Sequence, residues 1–152
     1  MTGEAERQGL PMAQVVSDVV PACVGGVGII SSTYLKDPTD PAIKNDPGYK
    51  EWVAFMQKYY SEGALNDDFN VFGYTVAQGL VHVLKQCGND LSRANVMKQA
   101  ANIKDLTLPM LLPGIKVNTS ANDYYPIEQE QLAKFDGERW VNFGEIYDAS
   151  KK

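Results

Sequence analysis

Residues 69–88 read FNVFGYTVAQGLVHVLKQCG, and this stretch decides the fold class. Apolar residues recur at intervals of three or four positions, as they do along one side of an α-helix. The residues of this stripe are Phe69, Phe72, Val76, Leu80, Val83 and Cys87, with Ala77, Val81 and Leu84 beside it. Asp67 and Asp68 suit the start of a helix, where backbone N–H groups need acceptors, and Gly88 suits its end. The pattern predicts a helix from about Asp68 to Gln86, capped at its C-terminus by Gly88.

Two further helices flank this one in the sequence. Asp46-Pro47 supplies a capping carboxylate followed by proline at the first helical position. The helix that follows carries one apolar face and is expected to end at Gly63. The residues of that face are Tyr49, Trp52, Val53, Met56, Tyr59 and Tyr60. On the other side, Ser92 can cap a third helix that extends to about Ala101.

Strand signals lie at the two ends of this helical region. Residues 27–34, VGIISSTY, are rich in β-branched side chains and predict a buried strand. Residues 131–147, QLAKFDGERWVNFGEIY, predict a β-hairpin, because Asp136-Gly137 tolerates the positive φ angles of a tight turn. Between them, residues 106–118, LTLPMLLPGIKVN, are expected to form an apolar loop that leads into a short strand. Strand, three helices and hairpin together predict an α/β fold that is part of a sheet-and-helix lobe.

Composition and charge exclude several classes of function. The 152 residues carry a net charge of −5, which disfavours a nucleic-acid surface or attachment to anionic lipid. No apolar run reaches the length of a membrane span. Glu4 and Glu6 stand where a signal peptide needs net positive charge, so no signal peptide is expected in this chain.

Metal and catalytic sites are not indicated by the pattern. His82 is the single histidine, and the two cysteines, Cys23 and Cys87, lie far apart, so no metal and no cofactor is expected. The cysteines could form one disulfide, although two separate buried thiols are favoured. Asp67 and Asp68 could act as an acid–base pair, but helix capping explains them better. We therefore expect a binding module and not an enzyme.

Five segments in this order resemble a known family. They are GIISSTYLKDPTDP (28–41), PGYKEWVAFMQKYY (47–60), the helix of residues 69–88, LSRANVMKQAANIKDLTLPMLLPGIKVN (91–118) and the hairpin of residues 131–147. The series resembles the periplasmic solute-binding proteins of ABC transporters for branched-chain amino acids (leucine, isoleucine and valine), which have the type I periplasmic-binding-protein fold. The resemblance covers about residues 28–148. Residues 1–27 are atypical of the family, and residues 149–152 form a tail.

The resemblance implies a fold and a function. The fold would be a partial lobe, with a crossover strand, three helices and a terminal β-hairpin. The function would be that of a substrate-binding component, present here as a fragment, which binds a branched-chain amino acid or a related small organic or aromatic acid. The partners would be that small-molecule solute and a membrane permease, and the location would be periplasmic.

The resemblance also implies two site residues. In the family, an aromatic that packs on the ligand side chain stands five residues before the tyrosine of a YxxxQxL pattern. Here the pattern is Tyr74, Gln78 and Leu80, so the aromatic is Phe69, and Tyr74 is a lesser candidate. The family's contacts to the solute's ammonium and carboxylate come from chain that precedes the position of residue 28. This chain alone is therefore expected to bind solute weakly or not at all.

An alternative without any small-molecule site stays open. A partial lobe exposes apolar helix faces and strand edges, which readily pair with another chain. We therefore expect a homodimer. Its interface would bury the strand edges and the helix faces at Trp52–Met56 and Phe72–Leu80. The same surfaces would suit a structural or interaction domain that self-associates.

Overall fold

A computed structural model describes residues 26–150 of the chain. Its elements follow in the order β1 (Ile30–Thr33), α1 (Pro47–Tyr59), α2 (Asp68–Cys87), α3 (Arg93–Ala100), β2 (Gln129–Phe135) and β3 (Trp140–Asp148). A short 3₁₀ helix, Pro41–Asn45, precedes α1. The predicted α/β order of one strand, three helices and a hairpin is confirmed.

The described chain divides into two compact units. Residues 26–33 and 130–147 form the sheet unit, and residues 34–129 and 148–150 form the helical unit. The predicted boundaries at residues 27 and 148 delimit the region that resembles the family. They do not concern these two compact units, and they stay a prediction.

The sheet unit contains three antiparallel strands in the order β1-β2-β3. Ile30 pairs with Lys134 and Thr33 with Gln131. The predicted turn between β2 and β3 is present: Gly137 has a φ of 112°, and Asp136 accepts the Glu138 and Arg139 N–H groups at 2.8 and 2.9 Å. The hairpin turn therefore depends on the Asp136-Gly137 pair, as predicted: the glycine adopts the positive φ and the aspartate accepts two backbone N–H groups.

The first strand is shorter than the sequence predicts. A turn precedes it, in which the Ile29 N–H donates to the Gly26 carbonyl at 3.1 Å and Gly28 has a φ of 92°. After the strand, Tyr34 pairs elsewhere, since its carbonyl accepts the Leu112 N–H at 2.9 Å. Only Ile30–Thr33 of the predicted residues 27–34 is left for the sheet, and this strand is exposed or half-buried, so the prediction of a buried strand is wrong.

Helix α1 supplies the centre of the helical unit. Asp46 accepts the Tyr49 N–H at 2.9 Å and Pro47 opens the helix, as predicted, but the helix ends at Tyr59 rather than at Gly63. The side chains of Trp52 and Met56 are 0% and 3% exposed. Their cluster also contains Tyr49, Val71, Tyr74 and Met110. The expectation that the Trp52–Met56 face needs a partner surface is wrong, because this chain itself buries it.

Helix α2 buries a different side from the predicted stripe. Val71 and Tyr74 are 0% and 5% exposed, whereas Phe72 and Leu80 remain about half exposed. At about 100° per residue, Val71 lies far around the helix from Phe72, Val76 and Leu80. Only at the C-terminal end, before α3, does the stripe become buried, at Val83 and Cys87. The apolar period predicts the helix correctly, but α1 packs on its other side.

The loop of residues 101–118 closes the helical unit. Leu106 and Val117 form an antiparallel bridge, and Leu35 and Leu111 form another. Buried apolar side chains of this loop are Ile103, Met110, Leu111, Leu112, Ile115 and Val117. The predicted apolar loop is therefore part of the core, although the pairing after it is a single bridge and not a strand.

Candidate functional site

Phe69 lies in the first turn of α2 and points largely into solvent. Asp67 caps the helix by accepting the Phe69 N–H at 2.9 Å, which fixes the backbone at this position. The Phe69 side chain is 53% exposed. A half-exposed aromatic ring on a fixed helix start can pack against an apolar ligand group at little conformational cost.

Tyr74 is a core residue rather than an exposed one. It is 5% exposed, and its hydroxyl donates to Glu51 Oε1 at 3.1 Å. Its ring lies against Phe55, with 5.1 Å between the ring centroids. Burial raises the pKa of the Tyr74 phenol, and the Glu51 carboxylate raises it further. The phenol therefore stays protonated, and its hydrogen bond to Glu51 ties α2 to α1.

The structure does not bring Phe69 and Tyr74 together on one surface. Five positions along a helix correspond to a rotation of about 140°, so the two side chains leave α2 in different directions. Phe69 stays a ligand-contact prediction, and Tyr74 could act on a ligand only through the residues around it.

An exposed aromatic group at the end of α1 was not predicted as a site. Phe55 is 40% exposed and Tyr59 is 65% exposed, with 5.1 Å between their ring centroids. Phe55 lies off the apolar stripe of α1, so a search for core periodicity passes over it. The signal that could have found it is the i, i+4 spacing of two aromatics, which places their rings side by side.

A polar groove of about 490 Å³ lies in the helical unit. Its lining residues are Lys104, Asp105, Gly114, Lys116, Asn118, Thr119, Ser120, Asp123, Pro126, Glu128, Gln129, Asp148 and Ser150. The volume falls in the range of small-ligand sites. The polar walls suit charged or hydroxylated groups and not an aliphatic side chain. Neither Phe69 nor Tyr74 lines this groove.

Both lysines of the groove are already engaged within the protein. Lys104 Nζ donates to the Thr119 carbonyl at 3.2 Å, and Lys116 Nζ lies 3.2 Å from Asp105 Oδ1. Thr119 joins the groove wall to α3, since its hydroxyl donates to the Ala100 carbonyl at 2.6 Å and accepts the Ile103 N–H at 3.0 Å. These bonds hold the wall of the groove together and engage both of its ammonium groups within the protein.

Metal ligands do not gather anywhere in residues 26–150. Within this range no group of three or more His, Cys, Asp or Glu side chains has the arrangement of a metal site. His82 is half-buried on α2, and Cys87 is a buried free thiol. Cys23 lies outside the described residues. None of the described helices is long and apolar enough to cross a membrane.

Comparison with solved structures finds a likeness that covers almost the whole chain. A branched chain amino acid ABC transporter from Thermus thermophilus, crystallised with bound valine, superposes with a TM-score of 0.68 over 97% of this chain. The two sequences are 14% identical over the match. The chain spans 42% of the length of that protein. Scans against models of protein families and against curated proteins find no match.

This likeness establishes the fold. The three-stranded sheet with three helices matches a partial lobe of a periplasmic-binding-protein fold, as the family resemblance implies. At this sequence identity, the roles of individual side chains do not follow from the superposition.

Proposed function

We propose that this chain is part of an extracytoplasmic solute-binding protein that serves an ABC transporter for branched-chain amino acids or related small organic or aromatic acids. The observation that carries the proposal is the likeness over 97% of the chain to a transporter protein that holds valine. The net charge of −5 is compatible with a carrier of small molecules and unfavourable for binding nucleic acid. The neighbour is named as a transporter, which supports a transport role over an enzymatic one.

Phe69 is the residue we propose to contact the solute. Its half-exposed ring on the first turn of α2 offers an apolar surface for an aliphatic or aromatic side chain. Tyr74 would contribute by holding α2 against α1 through Glu51. A permease in the membrane would be the macromolecular partner of the complete protein.

The polar ends of an amino acid set the strength of binding. Bringing an ammonium and a carboxylate out of water without fixed partners costs several kcal/mol. This cost offsets the favourable binding free energy that one aromatic contact contributes. Next to Phe69, the Asp67 carboxylate already accepts the Phe69 N–H at 2.9 Å as the cap of α2. We therefore expect the chain alone to bind valine with a dissociation constant of about 1 mM or weaker.

Nuclear magnetic resonance of the ¹⁵N-labelled chain tests this proposal. L-valine, L-leucine and benzoate are titrated in turn, with glucose as an unrelated solute. We expect small, saturable shifts of amide signals around Phe69, which disappear in Phe69→Ala. Tyr125→Ala removes another exposed ring, at 75% exposure, and serves as the matched control that leaves the shifts in place.

Three results would contradict the proposal in different ways. Shifts confined to the polar groove would move the site away from Phe69. A micromolar dissociation constant would show that this chain supplies its own polar clamps. No shift with any of the three solutes at high millimolar concentration would remove solute binding from this chain.

The last of these results would favour the second candidate function, a structural or interaction domain. One observation supports that alternative: a row of half-exposed apolar side chains runs along α2. Such a row is larger than the scattered apolar residues of an ordinary surface.

A further inference from the structure

The exposed apolar row on α2 has the geometry of a helix-packing ridge. Phe72, Val76, Leu80 and Leu84 follow one another at intervals of four, and we name these four residues the α2 ridge. Their exposed fractions are 48%, 55%, 54% and 39%. Residues at i, i+4, i+8 and i+12 form the rows that interdigitate when two helices pack.

A shallow channel runs beside the α2 ridge. Gly73, Ala77 and Val81 form the next row around the helix, and two of these three side chains are very small. A Cβ atom built on Gly73 would meet nothing within 4 Å, so the space above it is open. A ridge of large side chains next to a channel of small ones fits a copy of itself, since the ridge of each helix can enter the channel of the other.

Charge favours the same pairing. Residues 69–84 contain no Asp, Glu, Lys or Arg, whereas Asp67 and Asp68 stand at the start of α2 and Lys85 at its end. In an antiparallel pair, the acidic end of each helix lies near the basic end of the other, and the two helix dipoles oppose. A parallel pair would bring the four aspartates of two copies together.

The exposed apolar area of this face is a large part of what a stable dimer buries. A phenylalanine side chain and three aliphatic ones, each about half exposed, together with Val81 present on the order of 500 Å² of surface. A standard interface buries roughly 800 Å² per partner, of which the rim is polar. The polar residues that flank α2 would supply that rim.

We infer that two copies of this chain associate through the α2 ridge in an antiparallel, two-fold symmetric pair, with the two-fold axis between Val76 and Leu80. This assigns the homodimer to the helical unit and not to the sheet edge. Strand β3 is a poor edge for pairing because Gly144, with a φ of 72°, interrupts the extended backbone in its middle. Such an interruption hinders another strand from pairing along this edge. The pairing is independent of solute.

Light scattering on the full chain after size exclusion tests the inference. We expect twice the mass of one chain at high micromolar concentration. Val76→Glu and Leu80→Glu each place two charges at the two-fold axis and should raise the dimer dissociation constant at least about a hundredfold. Gln86→Glu puts the same charge on an exposed position of α2 outside the α2 ridge and should change it less than about twofold.

A disulfide cross-link gives a second measurement that survives if a glutamate variant folds poorly. Under mild oxidation, a mixture of Val76→Cys and Leu80→Cys chains should form a covalent dimer, because these two positions face each other across the two-fold axis, whereas Lys58→Cys on the exposed side of α1 and the unmodified chain should not. A monomeric chain at high concentration would overturn the inference and would mean that another segment or another protein covers the α2 ridge. A dimer that persists in both glutamate variants, without a cross-link between the Val76→Cys and Leu80→Cys chains, would also overturn it, in favour of pairing elsewhere.

Discussion

Asp46 both caps α1 and forms an ion pair with Lys36. Its carboxylate accepts the Tyr49 N–H and also binds Lys36 Nζ at 2.7 Å, and Lys36 is 9% exposed. Partial burial by itself raises the pKa of the Asp46 carboxyl, but the hydrogen bonds from Lys36 and from the Tyr49 N–H outweigh it and hold the pKa below its usual range. Lys36 also donates to the Pro109 carbonyl at 2.7 Å, so this one cap fastens three segments.

The first prediction concerns Asp46→Asn. Asparagine keeps the helix cap but leaves the buried Lys36 ammonium without its counter-charge, so the free energy of unfolding at pH 7 should fall by about 2–3 kcal/mol. Urea unfolding followed by circular dichroism measures this change. Asp67→Asn is the matched control, because Asp67 caps α2 in the same way and should tolerate asparagine with a loss below about 0.5 kcal/mol. Equal, small losses in the two variants would refute the role of the ion pair.

The pH dependence of the same pair has a definite sign. The pKa of Asp46 is lower in the folded protein than the unfolded value of 3.8, so the stabilisation is fully present above that value. It should decline as the pH falls below about 4 and vanish once the pH is under the folded pKa. The difference in unfolding free energy between the unmodified chain and Asp46→Asn should shrink over that interval. A difference that stays constant down to pH 2 would contradict this account.

At the level of single elements, the loop of residues 101–118 comes very close to the first turn of α1. A Cβ atom on Gly48, in the first turn of α1, would come within 2.2 Å of the Pro109 carbonyl oxygen. The contact is backbone against backbone, so no flexible side chain can move aside. The glycine therefore sets how near the loop comes to the helix.

Gly48→Ala should destabilise the protein by about 1–3 kcal/mol because α1 or the loop must shift. Thermal unfolding measures the effect. Gly79→Ala on α2 is the control: a Cβ atom there meets nothing within 4 Å, so the better helix propensity of alanine should stabilise by about 0.5–1 kcal/mol. A melting temperature that Gly48→Ala leaves unchanged would mean that the loop is not fixed to α1.

The helix starts were predictable because they depend on neighbours in the sequence. Asp46, Asp67 and Ser92 each cap the helix that follows, through N–H groups two or three residues ahead. The buried side of α2 was not predictable in the same way. An apolar row and a row that contains Val71 and Tyr74 both run along this helix, and the choice between them depends on where α1 packs. The choice depends on tertiary packing, and the hydrophobic period alone does not determine it.

At the level of the whole molecule, some parts of the candidate site could be predicted before the structure was known and others could not. Phe69 and Tyr74 came from the family resemblance, and the structure places them on different sides of α2. The polar groove was outside the reach of sequence reasoning because its lining residues extend from Lys104 to Ser150 and meet only after folding. The partial-lobe fold, in contrast, was predictable, since the ordered series of elements is enough to specify it.

The whole chain is also expected to hold no structural metal. Residues 26–150 contain no cluster of three ligating side chains, and the chain has a single histidine. Dialysis against a chelator should leave the melting temperature and the far-ultraviolet circular dichroism unchanged, because no folding free energy comes from a metal. Elemental analysis should find less than one equivalent of zinc. Stoichiometric zinc whose removal unfolds the protein would contradict this prediction.

The pairing of β1 with β2 determines the order in which the chain can assemble. Lys134 lies 104 positions after its partner Ile30, whereas α1 and α2 are joined by a short connection. Closing so long a loop is entropically slow compared with pairing neighbouring helices. During synthesis on a ribosome, β1 emerges early and waits while the three helices and the loop after them are made. Throughout that interval β1 has no β2 to pair with, so misassembly of the nascent chain is expected at β1 in particular.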